Sequence, residues 1–103
     1  MISLPKLRKL ALSFPGTTEE PHFEKISFRV NKKIFVTYDS KNNRACFKLS
    51  LSDQDLFSLY DETIVYAVPN KWGNYGWTFV ELRTVRKNVL KSIIKAAYKQ
   101  VAI

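Results

Sequence analysis

Leu4, Leu7, Leu10, Ala11 and Phe14 recur at three- and four-residue spacing, so residues 3–14 read as an amphipathic helix with Lys6 and Lys9 off its apolar stripe. Ser3 is placed to cap it, Pro5 fits its first turn, and Pro15-Gly16 ends it. The polar segment GTTEEPHFEK, residues 16–25, reads as a connecting loop. Three β-patterned runs follow: KISFRV with Ile26, Phe28 and Val30 on one face, KIFVTY after the turn Asn31-Lys32, and RACFKL after the turn DSKNN, with Ala45, Phe47 and Leu49 together. In SLSDQDLFSLY the period becomes helical. Ser52 with Asp55 makes a capping-box pattern there, and Leu56, Leu59 and Tyr60 are predicted as the apolar face. TIVYAV and GWTFVEL read as two further strands joined by PNKWGNY. The chain closes on a helix in which Val89, Leu90, Ile93, Ile94, Ala97 and Val101 share a face and Thr84 is the expected cap.

The order α-β-β-β-α-β-β-α, with short polar turns between successive strands, predicts an α+β fold. It is a two-layer domain, α-β(3)-α-β(2)-α, with a five-stranded antiparallel sheet and helices on one face. At 103 residues the chain is the size of one domain, taken as residues 1–103. Two strands lack a clean polar face. Trp77 and Phe79 alternate with Val80 and Leu82, and strict alternation sets Phe35 opposite Ile34, Val36 and Tyr38. Cover of the second sheet face by the terminal helix or a loop is expected; the alternative is an apolar face that meets a partner.

Composition fits a compact, ordered chain: 46% hydrophobic and 14% aromatic residues exclude a disordered one. The single cysteine, Cys46, has no partner for an internal disulfide and lies in an apolar strand, as a buried thiol in a reducing cytoplasm would. The sequence contains neither a run of about 20 apolar residues nor a signal-peptide pattern, so membrane association is not expected. The net charge of +8 points toward a polyanionic partner.

Catalytic chemistry has little to stand on. His22 is the one histidine; with Glu19, Glu20 and Glu24 nearby it makes at most a weak metal-ligand set, and no nucleophile-elbow pattern is present. Gly16, Gly73 and Gly76 do not form a phosphate-cradling loop, and the paired acids of SDQD suit a helix N-terminus. A non-enzymatic domain without metal or cofactor is therefore expected. A catalytic alternative requires one concave pocket holding His22 and a carboxylate of displaced pKa.

The cations are better candidates. Lys32 and Lys33 sit at the first hairpin turn, and Lys41 and Arg44 flank the second, so that two hairpin tips present positive charge to a phosphate backbone. Lys87, Lys91, Lys95 and Lys99 recur every four residues along the closing helix, forming a basic ridge opposite its apolar face. In PNKWGNYGWTFVEL, Lys71 stands beside Trp72 and Tyr75 in a glycine-containing loop, an arrangement suited to stacking on unpaired bases. Burial of Trp72 over the open end of the core is the structural alternative, and Trp77 is expected within the sheet or beneath a helix.

FPGTTEEPHFEKISFRVNKKIFVTY, RACFKLSLSDQD, YAVPNKWGNYGWTFVEL and AAYKQVAI together resemble the MmcQ/YjbR family over essentially the whole chain. The resemblance implies the α-β(3)-α-β(2)-α fold, similar to that of type III secretion chaperones. It also implies a DNA-binding role through a double-wing motif, without an assigned reaction. The expected function is nucleic-acid binding, DNA in the first instance, through phosphate contacts of Lys32, Lys33, Lys41, Arg44, Lys71, Lys87, Lys91 and Lys95, with Trp72 and Tyr75 stacking. The alternative is a protein-interaction module or homodimer that uses the aromatic second sheet face; the chain is expected to be a monomer or a weak homodimer.

Overall fold

In the computed structural model, which describes residues 1–102, the N-terminal stripe forms α1 (Leu4–Leu12). Ser3 caps it by accepting a hydrogen bond from the Lys6 amide at 3.4 Å. Among the described residues six strands then build one antiparallel sheet: β1 (Thr17–His22), β2 (Lys25–Val30), β3 (Lys33–Asp39), β4 (Arg44–Lys48), β5 (Val65–Ala67) and β6 (Trp77–Glu81). Their spatial order is β1-β2-β3-β4-β6-β5. α2 (Leu51–Ser58) links β4 to β5, and α3 (Lys87–Val101) closes the chain. The last position of the predicted closing helix, Ile103, lies outside the described residues. Among those described, no helix is long and apolar enough to cross a membrane.

The sixth strand is β1, in the segment predicted as a loop. TTEEPH lacks apolar alternation because both of its faces stay wet; it is an edge strand held by its pairing to β2 from Thr17↔Val30 to His22↔Lys25. Pro21 is tolerated there because an edge strand leaves half of its amides unpaired. The β2–β3 connection is a two-residue turn in which Asn31 and Lys32 both have positive φ, 51° and 66°, the geometry that matches strand twist.

One face of the sheet carries the core. Phe28, Val36, Phe47 and Thr78 line up across β2, β3, β4 and β6, with Ile26, Tyr38, Ala45, Val80 and Val65 in the neighbouring row. Leu7 and Ala11 of α1 and Leu90, Ile93, Ile94 and Ala97 of α3 are buried with them. Tyr98 ties the C-terminal helix to the Pro15-Gly16 turn: its ring stacks on Phe14 at 4.7 Å and its hydroxyl donates to the Pro15 carbonyl at 2.6 Å.

Strict alternation fails in β3. Phe28 pairs with Val36 and Arg29 with Ile34, so Phe35 is the extra residue of a β-bulge. Phe35 joins Val36 in the core, both fully buried, and Ile34 is left on the opposite face. α2 also departs from its predicted orientation. Its cap is Ser50, not Ser52, and it turns Gln54 and Phe57 inward while Leu56, Leu59 and Tyr60 are exposed. The reason is a tertiary contact: the Gln54 amide donates to the Gly73 and Trp77 carbonyls and to Thr78 Oγ1, at 3.0–3.2 Å, so it is buried with its own polar group satisfied. α3 starts after Arg86 and lacks a side-chain cap, so Thr84 does not serve as one.

Candidate nucleic-acid interface

The second face of the sheet is lined by the alternate residues of the same strands. Ser27, Thr37, Cys46, Phe79 and Tyr66 form one cross-strand row, and Asp39, Arg44 and Glu81 the next. The terminal helix lies on the core face, so the expected helical cover is absent here. Loop cover is partial: Val68, Asn70 and Trp72 wall one side of a groove of about 490 Å³ whose floor includes Thr37, Arg44, Cys46, Trp77 and Phe79, with Ile34, His22 and Lys25 opposite.

Two glycines set that wall in place. Gly73 begins a 3-10 turn, Gly73–Tyr75, and a Cβ there would lie 2.0 Å from the Val68 carbonyl oxygen. Gly76 ends it with φ 98°, and a Cβ there would lie 1.9 Å from the Leu49 carbonyl oxygen. The Lys48 ammonium donates to the Tyr75 carbonyl and fixes the turn to β4. Held this way, Trp72 and Tyr75 remain 52% and 60% exposed, edge to face at 6.1 Å. Neither is folded into the core. Trp77 is half-buried on the open face, not beneath a helix.

Cations sit on the rings of this face. The Arg44 guanidinium lies 3.8 Å from the centroid of Phe79, Lys71 Nζ 5.5 Å from that of Trp72, and Lys48 Nζ 6.0 Å from that of Trp77. Arg44 stands between Asp39 and Glu81 in its row and makes a direct ion pair with neither. Its NH1 donates to the Tyr66 hydroxyl at 3.3 Å, while the Glu81 carboxylate beside it accepts from Tyr66. Among the described residues the one ion pair is Arg8–Glu19, remote from the groove. Burial, reinforced by the bond to Glu81, raises the Tyr66 pKa, so the phenol stays protonated and donates. Burial likewise pushes the Cys46 thiol up to about 12, which leaves it an unreactive part of the floor.

His22 and Asp39 do share the groove, the juxtaposition a catalytic site would need. Burial acts to raise the Asp39 pKa, but hydrogen bonds from Asn42 and the Lys41 amide, with the charge of Lys25, outweigh it and hold the carboxyl below its usual value. A carboxylate shifted downward and committed to its own turn is a poor general base near neutral pH.

The ten cationic and aromatic residues singled out in the sequence fall on separate surfaces. Arg44 and Trp72 line the groove, with Lys71 and Tyr75 on the same loop wall. Lys32 and Lys33 lie at one end of the sheet and Lys41 at the other, because successive hairpins of a meander point in opposite directions; seven residues of β3 separate the two tips by about 20 Å. Lys87, Lys91 and Lys95 are exposed on α3, in the other layer. Lys25, Ile34, Lys48, Trp77 and Phe79 complete the face and are missing from the sequence-derived set. For Lys25, Lys48, Trp77 and Phe79 the signal was the strand alternation itself, since each sits on the opposite parity from the core residues of its strand; Ile34 shares the parity of Val36 and Tyr38 and reaches this face only through the bulge at Phe35.

A family model described as YjbR matches residues 12–100. The chain belongs to the YjbR family. The crystal structure of Deinococcus radiodurans protein DR2400, described as a DUF419 domain, superposes with a TM-score of 0.81 at 18% identity over 95% of this chain and 77% of that one. At that identity the likeness establishes the YjbR fold alone. Comparison with curated proteins finds no match.

Proposed function

We propose that this YjbR domain is a non-enzymatic binder of single-stranded nucleic acid, DNA in the first instance, and that the strand lies along the open sheet face. The observation that carries it is the set of three cation–ring pairs, Arg44–Phe79, Lys48–Trp77 and Lys71–Trp72, around one groove. Unpaired bases stack on exposed aromatic rings and on guanidinium planes, worth about 1–3 kcal/mol per base, while phosphates take the ammonium groups. Trp72 and Tyr75 supply stacking surface at the rim, and Lys25, Lys48 and Lys71 supply phosphate contacts. A duplex gripped by two wings is disfavoured by the opposite placement of the hairpin tips. An isologous dimer across this face would cover the groove, so the binding species is a monomer. We place it in the cytoplasm, where Cys46 stays a thiol.

Fluorescence anisotropy of a labelled single strand and its duplex, at three salt concentrations, tests this. Three phosphate contacts, one each from Lys25, Lys48 and Lys71, give a log–log salt slope of about −2 on a single strand. Trp72→Ala should weaken single-strand binding by about 1–3 kcal/mol, roughly five- to 150-fold. Preference for the duplex, or indifference to Trp72→Ala, would reject the groove.

A further inference from the structure

The outward side of α2 is both apolar and acidic. Leu51, Leu56, Leu59 and Tyr60 are 54%, 61%, 83% and 41% exposed, because Gln54 and Phe57 occupy the inward side. Residues 51–62 also hold Asp53, Asp55, Asp61 and Glu62 and not one lysine or arginine, in a chain of net charge +8. The ion pair described above involves none of these carboxylates. Hydrogen bonds from Thr63 hold the Asp61 carboxyl below its usual value, so it is charged at neutral pH.

We propose that the outward face of α2 and its following turn docks a basic amphipathic segment of another protein, one that sets leucine-like side chains on Leu56 and Leu59 and lysines or arginines on the flanking acids. Charge complementarity selects this occupant. A phosphate-bearing surface, whether nucleic acid or anionic membrane, is repelled by Asp53, Asp55 and Glu62. A second copy docking through the same face would bring acid against acid, and the outward face of its α3 offers Asn88, Ser92 and lysines with no leucine-like side chain to set on Leu56 and Leu59. A leucine–lysine segment satisfies both the apolar side chains and the charge. This docking face lies in the helix layer, away from the groove proposed to take nucleic acid, and stands independently of that proposal.

The probe is a fluorescein-labelled amphipathic peptide of about 18 residues, five helical turns of leucine and lysine. Its control replaces every lysine by glutamate. The double variant Leu56→Ser/Leu59→Ser, at exposed positions, is checked for folding by circular dichroism. A second variant, Asp53→Asn/Asp55→Asn, alters charge alone. Saturable binding of the lysine peptide is expected, at least tenfold weaker in the leucine variant, several-fold weaker in the aspartate variant, and absent with the glutamate peptide. Absence of binding, equal binding by both variants, or equal binding of the glutamate peptide would overturn the proposal. So would light scattering that shows wild-type self-association lost in the leucine variant, since the occupant would then be a second copy.

Discussion

Gly76 shows how much of the loop depends on a single position. Its φ of 98° is costly for any L-residue, by about 1–3 kcal/mol, and a Cβ there would also meet the Leu49 carbonyl. The Leu49 amide in turn donates to the Gly76 carbonyl at 3.0 Å, so the two backbones cannot separate without losing a bond. Gly76→Ala is therefore expected to lower stability by at least about 2 kcal/mol in urea unfolding. A loss below about 0.5 kcal/mol would mean that the turn relaxes freely. Trp72 and Tyr75 in the same loop cost the fold little, which is why they are available for contact. From sequence the glycines pointed to unusual backbone without saying which contact demands it, because the Leu49 carbonyl approaches from 27 positions away.

Among the elements, the β3–β4 hairpin contributes a pH dependence through Asp39. Asp39 accepts hydrogen bonds from the Lys41 amide at 3.0 Å and from Asn42 Nδ2 at 2.8 Å, and its folded pKa lies below the ordinary 3.8. A depressed folded pKa contributes stability that is present above the unfolded value and lost as pH falls through the folded one. Wild type should thus be more stable than Asp39→Asn near neutral pH, with the difference shrinking below about pH 4 in denaturant midpoints across a pH series. A constant difference over that range would assign the effect to shape instead of charge. The periodic elements, α1, α3 and the five strands β2 to β6, were legible in the sequence because each sets apolar residues against one core face. β1 was not, since an edge strand wet on both faces has no period to read. The bulge at Phe35 and the reversed face of α2 were also hidden: each follows from one tertiary contact, the Ile34–Arg29 register and the Gln54 amide, that outweighs local pattern.

At the scale of the molecule, the two-layer arrangement separates the positive charge into two populations. The lysine ridge of α3 faces out from the helix layer, and the cation–ring pairs face out from the sheet, so one short strand cannot engage both. The sequence read hairpin cations and a second, helical ridge as contacts of the same nucleic acid, because spacing along a chain says nothing about which layer a residue joins. Charge alone would favour the ridge, where the lysines are free of ion pairs among the described residues. Rings favour the sheet. The measurement that separates them is a titration of ¹⁵N-labelled protein with a short single-stranded oligonucleotide, followed by amide and tryptophan indole shifts. Binding on the open face moves Lys25, Thr37, Arg44, Cys46, Phe79 and the indoles of Trp72 and Trp77, and leaves Lys87 through Lys99 in place. Shifts confined to α3, or none at low salt, would contradict it.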